Sequence, residues 1–116
     1  MKKIIATLAI SSFIFSVSVQ AAEFWRTGTI KRILSGKKYG GCMVLLSTSI
    51  GNGCPSTGWI SLDCDAKFLQ ADTAERHFAS ALIAASTGKN VSILINNQQK
   101  QSGYCVASRV DVIFPE

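Results

Sequence analysis

Four cysteines, Cys42, Cys54, Cys64 and Cys105, are the residues whose chemistry is easiest to interpret. An even number of cysteines in an exported domain predicts two disulfides, whereas the same residues in a reducing compartment would suggest zinc. Four-cysteine zinc sites normally contain close C-x-x-C pairs, and no such pair occurs here. We therefore predict two disulfides, no metal site and no free thiolate nucleophile.

Other groups that perform catalysis are scarce. The single histidine, His77, falls inside a predicted helix, and we expect it to serve packing or to lie on the helix surface. No serine occupies a G-x-S-x-G elbow. Asp63 and Asp65 flank Cys64 and would share one face of an extended segment, either as paired carboxylates or calcium ligands or as a solvated strand end. The sequence predicts a protein that is not an enzyme and has no cofactor.

The N-terminal residues 1–21 have the three parts of a secretory signal. Two lysines precede an apolar run from Ile4 to Val19, and small residues at Val19 and Ala21 permit cleavage before Ala22. The alternative is a membrane anchor, but the run is short and rich in serine for a span of about 20 apolar residues. We expect residues 22–116 to form one secreted or periplasmic domain with no membrane span. The Lys-Lys start is typical of bacterial chains.

Composition narrows the class of partner. The chain of 116 residues carries a formal charge of +5, and removing Lys2 and Lys3 leaves 10 basic (12 − 2) against 7 acidic side chains. This mild excess does not indicate a nucleic-acid-binding protein. A basic stretch of Lys31, Arg32, Lys37 and Lys38 surrounds the first predicted turn, and a small barrel can bind single strands through such a surface. Export argues against that interpretation and favours a solvated turn.

The elements that must position these residues are predicted to be five strands and one helix. Apolar and β-branched residues indicate strands over residues 23–34, 42–47, 59–64, 91–95 and 105–114, with a bulge or bend at Gly28. Residues 48–58 and 96–103 are predicted loops. The order β-β-β-α-β-β matches a mainly β (α+β) fold, a small five-stranded OB-type Greek-key barrel with its helix between strands three and four.

The helix has clear signals at both ends. Asp72 with Glu75 three residues later predicts an N-cap with a capping box, and Gly88 predicts the left-handed stop. One apolar face is expected to comprise Ala74, Phe78, Ala81, Leu82 and Ala85. Ile83 falls outside this face, either as a tolerated exposed residue or as a second contact surface in an oligomer.

This topology favours one disulfide pairing among the three that four cysteines allow. Strands two and three would be antiparallel, so that Cys42 and Cys64 lie at the same end. Strands three and five would run parallel, which places Cys54, just before strand three, near Cys105 at the start of strand five. The favoured pairing is Cys42–Cys64 and Cys54–Cys105.

Aromatic residues are the best candidates for ligand contact. Trp59 alternates with Ile60 and Leu62 and should therefore point away from the barrel interior. Trp25 lies near the mature N-terminus, and Tyr104 lies beside Cys105. Exposed rings stack on sugars and anchor protein interfaces. The alternative is an aromatic cluster that covers one mouth of the barrel.

Residues 79–93 (ASALIAASTGKNVSI) resemble the helix-to-strand segment of the B subunits of subtilase cytotoxin and typhoid toxin. In that family a helix ends in a Thr-Gly-Gln step before a strand that begins Val-Arg-Ile, and Thr87-Gly88-Lys89 stands here at the same step. The early Glu23 and Trp25 are also similar, as are Cys42 and Cys64 in strands two and three. The chain departs from the family in being shorter and in lacking a C-terminal cysteine pair.

The resemblance implies an OB fold, a homopentameric ring, a toxin A subunit as partner and glycan binding. The family binds sugar with a serine hydroxyl early in the first strand, and the nearest match here is Thr27. We therefore expect a secreted, non-enzymatic module resembling a toxin B subunit, with Thr27, Trp25 and Trp59 contributing to a glycan or partner surface on one side of the barrel. The alternative function is a periplasmic or secreted accessory or inhibitor protein that binds another protein.

Overall fold

The computed structural model describes residues 22–115, which form a five-stranded closed barrel and one helix. The elements are β1 Glu23–Ser35, β2 Cys42–Leu46, β3 Trp59–Ser61, α1 Ala71–Thr87, β4 Asn90–Gln101 and β5 Tyr104–Ile113. The strand order around the barrel is β1-β2-β3-β5-β4, with β3 and β5 parallel and the other pairs antiparallel. The mainly β, OB-type fold predicted from the sequence is confirmed.

The predicted signal peptide lies outside the described residues. Within residues 22–115, no helix is both long enough and apolar enough to cross a membrane.

The core is built from the inward residues of the strands and one face of α1. Its fully buried members include Val44, Ile60, Leu62, Ile93 and Ile95. Both predicted disulfides, Cys42–Cys64 and Cys54–Cys105, are confirmed, and among the described residues no cysteine is free. The strand β3 has only three residues and forms few backbone hydrogen bonds. The two disulfides therefore help to fix the segments on either side of it.

Strand β1 is long because it changes partner halfway. Residues 23–29 pair with β4, and residues 30–35 pair with β2, with a register shift between Ile30 and Arg32. The bulge therefore lies after Gly28 and not at it. Gly28 instead permits a close crossing, since a Cβ there would collide with the hydroxyls of Ser47 and Thr48.

Two predicted boundaries are wrong. Residues 96–101 continue β4 instead of forming a loop, and the turn consists only of Ser102 and Gly103, both with positive φ. Such a two-residue turn matches the twist of a hairpin. Strand β3 ends early, at Ser61, because the chain turns at Asp63, which has a φ of 59°.

Helix α1 also differs from its predicted start. Gln70 is the N-cap and makes no side-chain cap, while Asp72 lies in the first turn and accepts a hydrogen bond from the Thr73 N–H. The predicted end is correct, because Gly88 is left-handed and its N–H donates to the Ala84 carbonyl.

The buried face of α1 is narrower than predicted. It consists of Ala74, Ala81 and Ala84, with Phe78 packed at its side, and Leu82 is exposed instead of buried. The helix lies close to the barrel because the buried side chains are alanines. These three residues form only a narrow buried stripe along the helix. Ile83 lies outside the stripe, as expected, and is 52% exposed.

Candidate functional site

Trp25 and Thr27 alternate along the outer side of β1, where this strand pairs with β4. Trp25 lies opposite Leu94 and Thr27 opposite Ser92. Strand β5 extends both rows, since Leu94 pairs with Arg109 and Ser92 pairs with Asp111. Directly opposed residues point to the same side of a sheet. We call the resulting surface, Trp25, Thr27, Ser92, Arg109 and Asp111, the hydroxyl face.

Direct contacts hold the hydroxyl face together. The Thr27 Oγ1 and Ser92 Oγ atoms lie 2.8 Å apart in a hydrogen bond. The Arg109 Nε donates to the Asp111 Oδ1 at 2.8 Å, and the Arg109 guanidinium carbon lies 5.5 Å from the centre of the Trp25 ring. Trp25 remains 43% exposed. An indole, two hydroxyls, a carboxylate and a guanidinium therefore lie close together on three paired strands.

This combination suits carbohydrate chemistry. A pyranose presents an apolar face that stacks on an indole, and hydroxyls that both donate and accept hydrogen bonds. Asp111 accepts, Arg109 donates, and the Thr27–Ser92 pair does either.

A second surface surrounds Trp59. Arg32, Leu45 and Trp59 share one row across β1, β2 and β3, and Leu34, Met43 and Ser61 share the next. On top of these rows lies a pocket of about 260 Å³. We call it the aromatic pocket; its lining residues are Arg32, Leu34, Tyr39, Met43, Trp59 and Tyr104.

Ring contacts shape the aromatic pocket. The Tyr39 and Tyr104 rings meet edge to face, 5.6 Å apart at 85°. The Arg32 guanidinium lies 5.7 Å from the Trp59 ring centre. Met43, only 2% exposed, forms an apolar floor. Trp59 is half-buried and lies outside the core cluster, which agrees with its predicted outward direction.

The loop that carries Tyr39 has an unusual backbone. Tyr39, Gly40 and Gly41 all have positive φ, at 60°, 79° and 88°. A non-glycine residue pays about 1–2 kcal/mol for the left-handed region. The neighbouring glycines are required, because a Cβ on Gly40 would collide with Gln101 and Ser61, and one on Gly41 with Asp65.

A buried polar network supports this loop from below. The Asp63 carboxylate accepts hydrogen bonds from the backbone N–H groups of residues 67, 68 and 69 and from the Gln101 amide. The Ser61 hydroxyl donates to the Tyr39 carbonyl and accepts from the Asp63 N–H, both at 3.2 Å. Asp63 is fully buried while Asp65 is exposed, so neither alternative for the pair, functional carboxylates or a solvated strand end, describes Asp63.

His77 is half-buried in α1, in agreement with a packing role. Its Nδ1 atom is buried and makes no hydrogen bond to any described residue. Burial, and secondarily the Arg76 charge, lower the pKa of His77 below 6.5. Among residues 22–115, no group of three or more His, Cys, Asp and Glu side chains is arranged to hold a metal ion.

The three predicted ligand residues thus divide between two surfaces. Trp25 and Thr27 lie together on the hydroxyl face, whereas Trp59 lies in the aromatic pocket with different neighbours. Sequence reasoning missed Ser92, Arg109 and Asp111. Arg109 and Asp111 alternate with Val110 and Val112, which pack against the core, so the sequence pattern indicates that they point outward. Their nearness to Trp25 depends on the register of two strand pairs.

Comparison with known proteins does not assign the chain to a family. No protein-family model, no curated protein and no solved structure matches it. The resemblance to toxin B subunits is therefore an expectation from residues 79–93 and the element order, and the two surfaces are interpreted from their own geometry.

Proposed function

We propose that this protein is a secreted, non-enzymatic binding module that recognises glycans through the hydroxyl face. The observation that carries the proposal is the half-exposed Trp25 ring beside the Thr27–Ser92 hydroxyl pair and the Arg109–Asp111 ion pair. Thr27 is also the nearest match in this chain to the serine whose hydroxyl binds sugar in the toxin B subunits that the chain resembles.

The rigidity of the face supports the proposal. Its five residues lie on three hydrogen-bonded strands, so a ligand would order few of them on binding. Preorganised groups lose little conformational entropy, which favours recognition of small polar ligands. A stacked indole contributes roughly 1–3 kcal/mol, by analogy with aromatic residues at interfaces.

The proposal includes assembly as a homopentameric ring with a toxin A subunit as partner, as the resemblance implies. One such face would bind a glycan weakly, and several identical faces on one ring would raise the overall avidity. Leu82 and Ile83 are exposed apolar residues at consecutive positions of α1, and we expect them to contribute to contacts between copies. Native mass spectrometry tests the assembly, since a pentamer has about five times the subunit mass.

A glycan array tests the binding function. We expect the disulfide-bonded protein to bind a defined set of glycans, and Trp25→Ala to weaken that binding about ten- to a hundredfold. Thr27→Val, which keeps the shape but removes the hydroxyl, should cost about tenfold. Trp59→Ala is the matched aromatic control and should leave glycan binding unchanged.

Two outcomes contradict the proposal. The first is a wild-type protein that retains no glycan, which would make the accessory or inhibitor protein the better explanation. The second is glycan binding that survives Trp25→Ala but is lost in Trp59→Ala, which would place the sugar in the aromatic pocket.

A further inference from the structure

The aromatic pocket has the size and lining of a site for one apolar side chain. Its volume of about 260 Å³ lies just below the range of about 300–1,000 Å³ that is typical of small-molecule sites. Leu34 and Met43 offer it no strong hydrogen-bonding group, and aromatic rings form much of the remaining lining.

The strained loop is a second, independent observation. Tyr39 holds a φ of 60° where glycine or asparagine would be relaxed, and in this position its ring meets Tyr104 at the edge of the pocket. The Ser61 hydroxyl and the Asp65 N–H bind the carbonyls of Tyr39 and Gly40 and so keep the loop in place. Backbone strain retained by supporting contacts is characteristic of binding sites.

Unpaired cationic side chains lie at the aromatic pocket. Arg32 lines the pocket, and Lys37 and Lys38 directly precede the lining residue Tyr39. The two ion pairs of the described chain lie elsewhere, at Arg76–Asp72 and Arg109–Asp111. Within residues 22–115, Arg32, Lys37 and Lys38 therefore have no acidic partner. Two acids lie near the loop: Asp65, which is exposed beside Gly41, and Asp63, which is buried and engaged in hydrogen bonds.

We propose that the aromatic pocket docks an extended acidic segment of a partner protein. One apolar side chain of the segment enters the pocket between Trp59 and the two tyrosines, and the flanking carboxylates meet Arg32, Lys37 and Lys38. This surface is separate from the hydroxyl face, so the inference is independent of the glycan proposal. A single-stranded nucleic acid is disfavoured because it stacks successive bases on a row of rings, whereas these rings surround one cavity.

Synthetic peptides test the proposal directly. The probe is a fluorescein-labelled seven-residue peptide with a central leucine between three glutamates on each side, measured by anisotropy with the disulfide-bonded protein. We expect saturable binding that weakens as salt rises from low to physiological concentration. A central glycine should abolish binding, and lysines in place of the glutamates should do the same. No saturable binding of the leucine probe at millimolar protein would overturn the proposal.

Charge variants locate the acidic contacts. Lys37→Gln/Lys38→Gln should weaken binding at low salt about tenfold and flatten its salt dependence. The matched control Lys67→Gln/Lys89→Gln removes the same charge from residues outside the pocket and should change the affinity less than twofold. Equal effects of the two double variants would mean that net charge alone attracts the peptide, which would overturn the proposal.

Substitutions of the aromatic residues test the apolar contact. Two are used, so that the conclusion does not depend on a single variant that could also destabilise the fold. Trp59→Ala should weaken peptide binding at least tenfold. Tyr39→Gly removes a rim ring but relieves the positive φ, so the melting temperature should stay within about 5 °C while affinity falls severalfold. Unchanged peptide affinity in both variants would overturn the proposal, as would a labelled oligothymidine that binds more tightly than the acidic peptide and is lost in Trp59→Ala.

Discussion

The hydroxyl face and the aromatic pocket share strand β1 but are constructed differently. Trp25 and Thr27 lie on its first half, where regular pairing with β4 holds them flat and close to polar neighbours. Arg32 and Leu34 lie on its second half, where pairing with β2 places them beside a loop and an apolar floor. One strand serves two surfaces because it changes partner between Thr29 and Ile30.

The comparison also concerns what supports each surface. The residues of the hydroxyl face are held by strand ladders that the whole barrel requires. The aromatic pocket depends in addition on a strained loop, a buried carboxylate and adjacent disulfides: Cys42 precedes Met43, and Cys105 follows Tyr104. Perturbing these supports should therefore damage the pocket more than the face.

Removing a disulfide should have the largest effect. The bridges span separations of 22 and 51 residues, and loop entropy predicts losses of about 3 kcal/mol for Cys42→Ala/Cys64→Ala and about 4 kcal/mol for Cys54→Ala/Cys105→Ala. Urea unfolding measures both. Under conditions where the variants remain folded, peptide affinity should fall more than glycan affinity, and the reverse order would break the comparison.

The second largest loss of stability is expected for Asp63→Asn. The amide replaces one acceptor oxygen by an NH₂ group facing N–H donors, and lost hydrogen bonds to a buried charge cost about 2–4 kcal/mol in total. The melting temperature should drop by roughly 10–20 °C. Asp65→Asn, on the exposed neighbour, should change stability by less than about 0.5 kcal/mol. Similar effects of the two substitutions would argue against the buried network.

The two tryptophans allow a comparison of stability between the surfaces. Trp59→Ala should cost about 1–2 kcal/mol, because the ring is half-buried and lies outside the core cluster. A core tryptophan would cost about 3–5 kcal/mol. Trp25→Ala should cost less than about 1 kcal/mol, since the ring is 43% exposed. If Trp59→Ala lowered the free energy of unfolding by about 3–5 kcal/mol, the aromatic residues would be a structural cluster and not a binding pocket.

The smallest expected effect is on the pH dependence of stability, and it involves His77, which belongs to neither surface. Because folding lowers the pKa of His77 below 6.5, the unfolded chain takes up this proton first as the pH falls. Stability should therefore decline below pH 6.5, and less steeply in His77→Gln. Chemical denaturation of both proteins at pH 7.5 and 5.5 measures the difference. Both binding affinities should depend on pH equally in the two proteins.

Short-range patterns were sufficient to predict much of the fold. Alternating residues indicated that Trp59 points outward, and Gly88 marked the helix end because only a left-handed residue fits there. The disulfide pairing followed from the strand order. These features depend on local chemistry or on topology that a few strong elements impose.

Features set by distant contacts were missed. The segment 96–101 is rich in Asn and Gln, of which Asn in particular is depleted in strands, yet Asn96 pairs with β1 and β5, and Lys100 and Gln101 pair with β5. Asp63 looked solvated, but its hydrogen bonds to residues 67–69 fix the approach to α1, which begins at Ala71 rather than after Asp72. The tyrosine loop depends on a positive φ that the residue type Tyr39 does not suggest.

The most direct test uses the two indole N–H signals of the chain, because its only tryptophans are Trp25 and Trp59. The signals are assigned with Trp25→Phe and Trp59→Phe and followed by ¹H–¹⁵N correlation spectra. Titration with a glycan found on the array should shift the Trp25 signal alone, and titration with the acidic leucine peptide should shift the Trp59 signal alone. A ligand that shifts both signals equally, or a glycan that shifts only Trp59, would contradict two separate binding surfaces.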